Sequence, residues 1–166
     1  MGKEEWHFGL EAEYFGQMPG GTFIDQLYEL NQNGEPMVIE GKSYEPWELL
    51  HIFFEGALKM LGVQDISKSI TGLVVTCEHL EQPLVDNLKK AMAKLNLKNG
   101  STRIIDFEES FYYHTMYQRP ELFSKKVALI RFDASKVAFK NLLVNQKTRP
   151  ALVRISEEKE YQLDGA

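Results

Sequence analysis

Three stretches of this chain carry residues that could do chemistry. In "IIDFEES", Glu108 and Glu109 open an expected helix just past the end of an expected strand. Open α/β sheets put ligand-facing residues at that point. Acidic residues in a first helical turn also simply complement the helix dipole. In "ALIRFDASKVAFKNLLV", residues 128–144, the break at "DASK" is flanked by period-two patterning: Ala128, Ile130 and Phe132 before it, Val137 and Phe139 after it. A strand–turn–strand that opens on an aspartate, here Asp133, suits a phosphate cradle, yet Ser135, Lys136 and Val137 leave it without glycine. In "CEH", Cys77 and His79 are two apart, so extended chain puts them on one side as nucleophile and base. No glycine-flanked elbow surrounds Cys77, and thiol catalysis needs an electropositive site. A buried structural cysteine is therefore the expectation.

Other candidates carry less. His7, His51, His79 and His114 lack the close spacing of metal ligands, so no metal is expected. Phe111, Tyr112, Tyr113 and Tyr117 have no basic surround for base stacking and are expected to pack a helical core. "GQMPGG" at 16–21 lacks the lysine of a phosphate loop and reads as a helix stop.

The elements that must position these residues follow from periodicity and breakers. Helices are expected at 8–18, 22–32 (capped by Thr22), 46–61, 81–96 and from 108 to Pro120. In 46–61, Trp47, Leu50, Phe54, Leu58 and Leu61 form the apolar stripe; in 81–96 it is Leu84, Leu88, Met92 and Leu95. Strands are expected at 69–77 (covered on both faces), 101–107, 126–133, 137–145 and 150–156, with one or two short ones in 36–44. The organisation is a single domain over 1–156, with a helical or irregular lead-in to 45 and an α/β core from 46. A polar, frayed tail spans 157–166.

Composition bounds the function. The 166 residues are 43% hydrophobic and 26% charged, with a net charge of −5. That suits one globular domain and speaks against a general nucleic-acid or anionic-membrane binder. No apolar run approaches the roughly 20 residues that span a bilayer. The start lacks the regions of a signal peptide, and the lone cysteine fits a reducing compartment, so a cytoplasmic location is expected. The chain opens in what reads as mid-domain, which suggests a piece of a longer protein.

The order of segments resembles the ATPase domain of the actin / heat-shock-chaperone / sugar-kinase superfamily, nearest the DnaK-type branch. "FGLEAEYFG" looks like its glycine–alanine segment and "PWELLHIFFEGALKML" like its long helix. "STRIIDFEESFYYHTMY" looks like the segment carrying its glutamate, and "LIRFDASKVAFKNLLV" like its second phosphate loop. The collinearity runs from about residue 8 to 145. The chain is also similar to a bacterial family with this layout and degenerate loops. The resemblance implies an α/β fold with a mixed sheet of ribonuclease-H-like topology and helices on both faces. Glu109 falls on the glutamate that helps position water and metal, and Asp133 on the loop's metal-site aspartate. Ser135, Lys136 and Val137 stand where that loop has three glycines, and Ala138 at its threonine. A β-branched residue blocks the close backbone approach a phosphate needs.

The expectation is therefore a non-catalytic pseudo-ATPase domain without a cofactor, serving scaffolding, protein interaction or self-association. One alternative is an ATPase whose ATP–Mg²⁺ site is completed by segments outside this chain. Another is a small cysteine hydrolase using Cys77 and His79. The trailing hairpin is expected to cover the edge of strand 69–77, within the chain or by swapping.

Overall fold

The structure is a computed structural model, and it describes residues 5–63, 65–97, 101–118, 126–132, 136–145, 147 and 152–163. It is a mixed α/β structure with small sheets. Two compact units divide it: Met1–Val75 with His79–Ile104, and Thr76–Glu78 with Ile105–Ala166.

The first unit contains α1 (Leu10–Gly16), α2 (Leu27–Asn33), the strands β1 (Met37–Ile39) and β2 (Lys42–Tyr44), α3 (Pro46–Met60), α4 (Ile66–Ser69) and α5 (Gln82–Lys94). Glu40 and Gly41 join β1 to β2 with φ of 50° and 81°, the two-residue turn that suits a twisted hairpin. Pro46 starts α3 where its missing N–H costs nothing, and the Glu45 N–H donates to the Glu48 carboxylate at 2.9 Å. Helix α5 buries Leu84, Leu88, Ala91 and Met92, with Leu95 just beyond its end, as the spacing predicts. Fully buried Asn31 links α2 to α5: its carbonyl accepts from Asn87 Nδ2 at 3.2 Å.

Two expectations shift here. Helix α2 begins at Leu27, so Thr22 and Phe23 precede it. The buried face of α3 is Pro46, Leu49, Leu50 and Gly56, while Leu61 is 80% exposed. Gly56 explains the rotation, because the Phe8 ring lies where a Cβ would stand, 2.2 Å from its ideal position.

Strand β3 (Gly72–Cys77) pairs with β4 (Ser101–Asp106). Its burial alternates along the strand and Val74 is 55% exposed, so it is not covered on both faces.

The second unit sets α6 (Phe107–Gln118) with an antiparallel sheet in the order β5 (Lys126–Phe132), β6 (Lys136–Asn145), β7 (Leu152–Gln162). Tyr112 of α6 packs with Leu142, Val127, Leu129, Val144 and Ile155. The register places Ile130 opposite Phe139 and Phe132 opposite Val137, which faces Tyr161. Opposed residues share a face, and on this one Ile130, Phe132, Phe139 and Tyr161 are exposed. The alternation seen in the sequence is real, but its apolar phase points out rather than in. Residues 157–162, expected in a frayed tail, continue β7 and pair along β6. Among the described residues the hairpin forms its own sheet and does not cover the edge of β3.

Candidate functional site

The second unit holds a network of charges built on three short pieces of chain. Helix α6 begins directly after β4, and Asp106, the last residue of β4, caps it by accepting from the Glu108 N–H at 2.9 Å. That geometry turns Glu108 inward, where it is only 1% exposed. On β6 the inward positions are Ala138, Lys140 and Leu142, so a lysine falls in the middle of a core face. Lys140 Nζ, 3% exposed, reaches Glu108 Oε1 at 2.8 Å and Glu158 Oε1 of β7 at 3.1 Å.

Arg131 of β5 shares the same carboxylate, its Nη1 lying 3.3 Å from Glu108 Oε1, and also pairs with Glu78. Lys136 bridges Glu78 and Glu160 at 3.4 Å each. Burying such charges is costly unless each is paired. The alternation of cations and carboxylates supplies that pairing.

One atom escapes it. Among the described residues nothing donates a hydrogen bond to the buried Glu108 Oε2. The neighbouring Asp106 carboxyl has its affinity for a proton raised beside it. Burial first, then its hydrogen bond to Glu108 and the repulsion of that carboxylate, raise the Asp106 pKa to about 7. Burial pushes Glu108 up as well, but hydrogen bonds with Asp106 and Lys140 outweigh it and hold that carboxyl below its ordinary value. Each carboxyl thus shifts the other, Asp106 upward and Glu108 downward. Burial would lower the Lys140 pKa, but Glu108 and Glu158 raise it overall, so its ammonium persists.

The residues singled out from sequence fare differently. Glu109 is half-buried and lies outside the network, while its neighbour Glu108 is at the centre. Asp133 and Ser135 lie outside the described residues. Lys136 is held between two carboxylates. Burial, followed by the charge of Asp106, raises the Cys77 thiol pKa, the opposite of what a nucleophile needs.

His79 is held through its backbone, whose N–H donates to the Tyr28 hydroxyl and whose carbonyl accepts from it. His7 lies 3.6 Å from Glu11, and His51 3.6 Å from Glu55. Among the described residues no three side chains of metal-ligating type gather. Of the α6 aromatics only Tyr112 is core; Phe111 is 49% exposed and Tyr117 90%, against the expectation of common packing. Helix α1 does end at Gly16 before the "PGG".

Sequence reasoning missed Asp106, Glu78, Arg131 and Lys140. The signal was present in β6, where Lys140 shares parity with Ala138 and Leu142.

Residues 1–165 match the model of a C-terminal domain described as a family of unknown function, DUF5716. The chain belongs to this family. No curated protein matches it. In this DUF5716 C-terminal domain the network offers an acid whose proton is exchangeable near neutrality. Its cations already have internal carboxylates as partners. No helix among the described residues is long and apolar enough to cross a membrane.

Proposed function

We propose that this domain is non-catalytic and works in protein interaction or self-association. The observation that carries the reading is the outer face of the β5–β7 sheet. Ile130, Phe132, Phe139 and Tyr161 lie there at 49, 75, 41 and 55% exposure, and Phe139 meets Tyr161 edge-to-face at 5.9 Å. Exposed apolar side chains grouped in this way are a feature of protein contact sites, and Lys159, opposite Phe139, adds a charge to the face. The degenerate actin/DnaK-like pseudo-ATPase origin, with a ribonuclease-H-like sheet, is the further part of the proposal and rests on segment order. Two features favour loss of the nucleotide: Lys136 already has Glu78 and Glu160 as partners, and Val137 lies within β6 where the loop would need glycine.

Two measurements test it. Light scattering of the chain and of Phe132→Ser/Tyr161→Ser should show association that the double variant weakens; a strictly monomeric chain that also captures no protein through this face would overturn the reading. Calorimetric titration with ATP–Mg²⁺ should be silent. Saturable heat would overturn the reading of the glycine-free turn, whereas binding by a longer protein containing this chain, and not by the chain, would favour an ATP site completed from outside it.

A further inference from the structure

The first unit contains a cavity of about 700 Å³ that opens to solvent, within the roughly 300–1,000 Å³ of small-molecule sites. Its wall is aromatic: Trp6, Phe8, Phe15, Phe23, Tyr44 and Phe53 line it. Trp6 and Tyr44 stand perpendicular, 5.7 Å between ring centres at 87°, so an edge of one meets the face of the other. Around the same cavity are Glu5, Glu13, Asp25 and Glu40, all with exposed side chains, together with His7, and among the described residues neither lysine nor arginine lines it. The chain's own Lys42, which is not part of the lining, holds its ammonium 4.4 Å from the Tyr44 ring centre.

These walls are fixed by close approach rather than by chance contact. A Cβ on Gly16 would come within 2.7 Å of Phe23 Cβ, and one on Gly21 within 2.3 Å of the Phe15 carbonyl oxygen. The "PGG" turn therefore folds back onto α1 and holds the two phenylalanines at the cavity. On the α3 side Phe8 is seated over Gly56.

We propose that this cavity binds a small organic cation, an ammonium carried on an apolar or aromatic body. Ring faces present negative charge to a cation, the carboxylates add a favourable field at the mouth, and the apolar walls take the body of the ligand. An anion would face the four carboxylates, offset only by His7 in the lining and by Lys42 beside Tyr44. A neutral molecule of the same shape would gain the apolar contact alone.

The test is calorimetric titration of the 166-residue chain at low ionic strength with benzyltrimethylammonium. Two controls accompany it: its neutral carbon isostere neopentylbenzene, and the anion phenylmethanesulfonate. The ammonium should bind saturably and at least about tenfold more tightly than either control. Glu13→Gln/Asp25→Asn changes only exposed side chains and should weaken the ammonium about threefold while leaving the isostere unchanged. Trp6→Leu should weaken the ammonium more than the isostere. Absence of saturable ammonium binding, equal binding of the isostere, or an ammonium affinity unmoved by both variants would each overturn the proposal. The outcome is independent of whether the β5–β7 face associates.

Discussion

Asp106 has two tasks that pull on one proton. It caps α6 through the Glu108 N–H, and it lies against the Glu108 carboxylate. Its folded pKa of about 7 stands above the ordinary 3.8, so between about pH 4 and 7 the folded chain keeps a proton that the unfolded chain has released. The stability linked to it is full below pH 4 and is lost as pH rises through 7. Glu108 is shifted downward and acts the other way, losing its contribution as pH falls below its ordinary 4.5. In Asp106→Asn the amide oxygen can still accept from the Glu108 N–H, and its NH₂ can donate to Glu108 Oε2. Denaturant titrations should show this variant at least as stable as the parent at pH 8, with a flatter profile between pH 4 and 7. Lys140→Met leaves Glu108 buried without its nearest cation and should cost about 3–5 kcal/mol at pH 7 by the same titration. Glu108→Gln added to Lys140→Met should restore a large part of it.

Strand β6 is the element on which the second unit turns. Its inward residues Ala138, Lys140 and Leu142 alternate with outward Phe139 and Leu143. Leu142→Ala, at 1% exposure, should cost about 2–5 kcal/mol, and Phe139→Ala about 1 kcal/mol, both read from chemical denaturation. The reverse ranking would mean the phase of the strand is wrong. In the first unit, Gly21→Ala drives a Cβ into the Phe15 carbonyl oxygen, which cannot swing aside as a side chain can. It should destabilise by about 1–3 kcal/mol and abolish the aromatic cavity. Helices were the most legible elements. Leu84, Leu88, Met92 and Leu95 predicted the face of α5 because a helical stripe needs only spacing. Strand phase was not legible, since Ile130, Phe132 and Phe139 are as apolar as the residues that face inward, and the charged Arg131 and Lys140 fall on the inner face. The charge network stayed hidden because its members lie far apart in sequence, from Glu78 to Glu160.

At the scale of the whole molecule, the chain passes between the two units at 75/76, 78/79 and 104/105, three times in all. No single cut separates them, and the second unit draws Glu78, the partner of Arg131 and Lys136, from the short return at Thr76–Glu78. Both tryptophans, Trp6 and Trp47, lie in the first unit. Unfolding followed by indole fluorescence and by far-ultraviolet dichroism should coincide, and Leu142→Ala in the second unit should move the indole transition too. An unmoved indole transition would mean the units unfold independently. Among the described residues the sheet order leaves β7 on an edge, where Glu157 and Lys159 point to the outer face and Glu158 and Glu160 to the inner one. A bare edge of eleven residues is a template on which a foreign strand can grow into a fibril, and closely spaced charge is how such templates are blunted. The acids that hold Lys136 and Lys140, with Glu157 and Lys159 beside them, load this edge with the charge that disfavours amyloid-like growth.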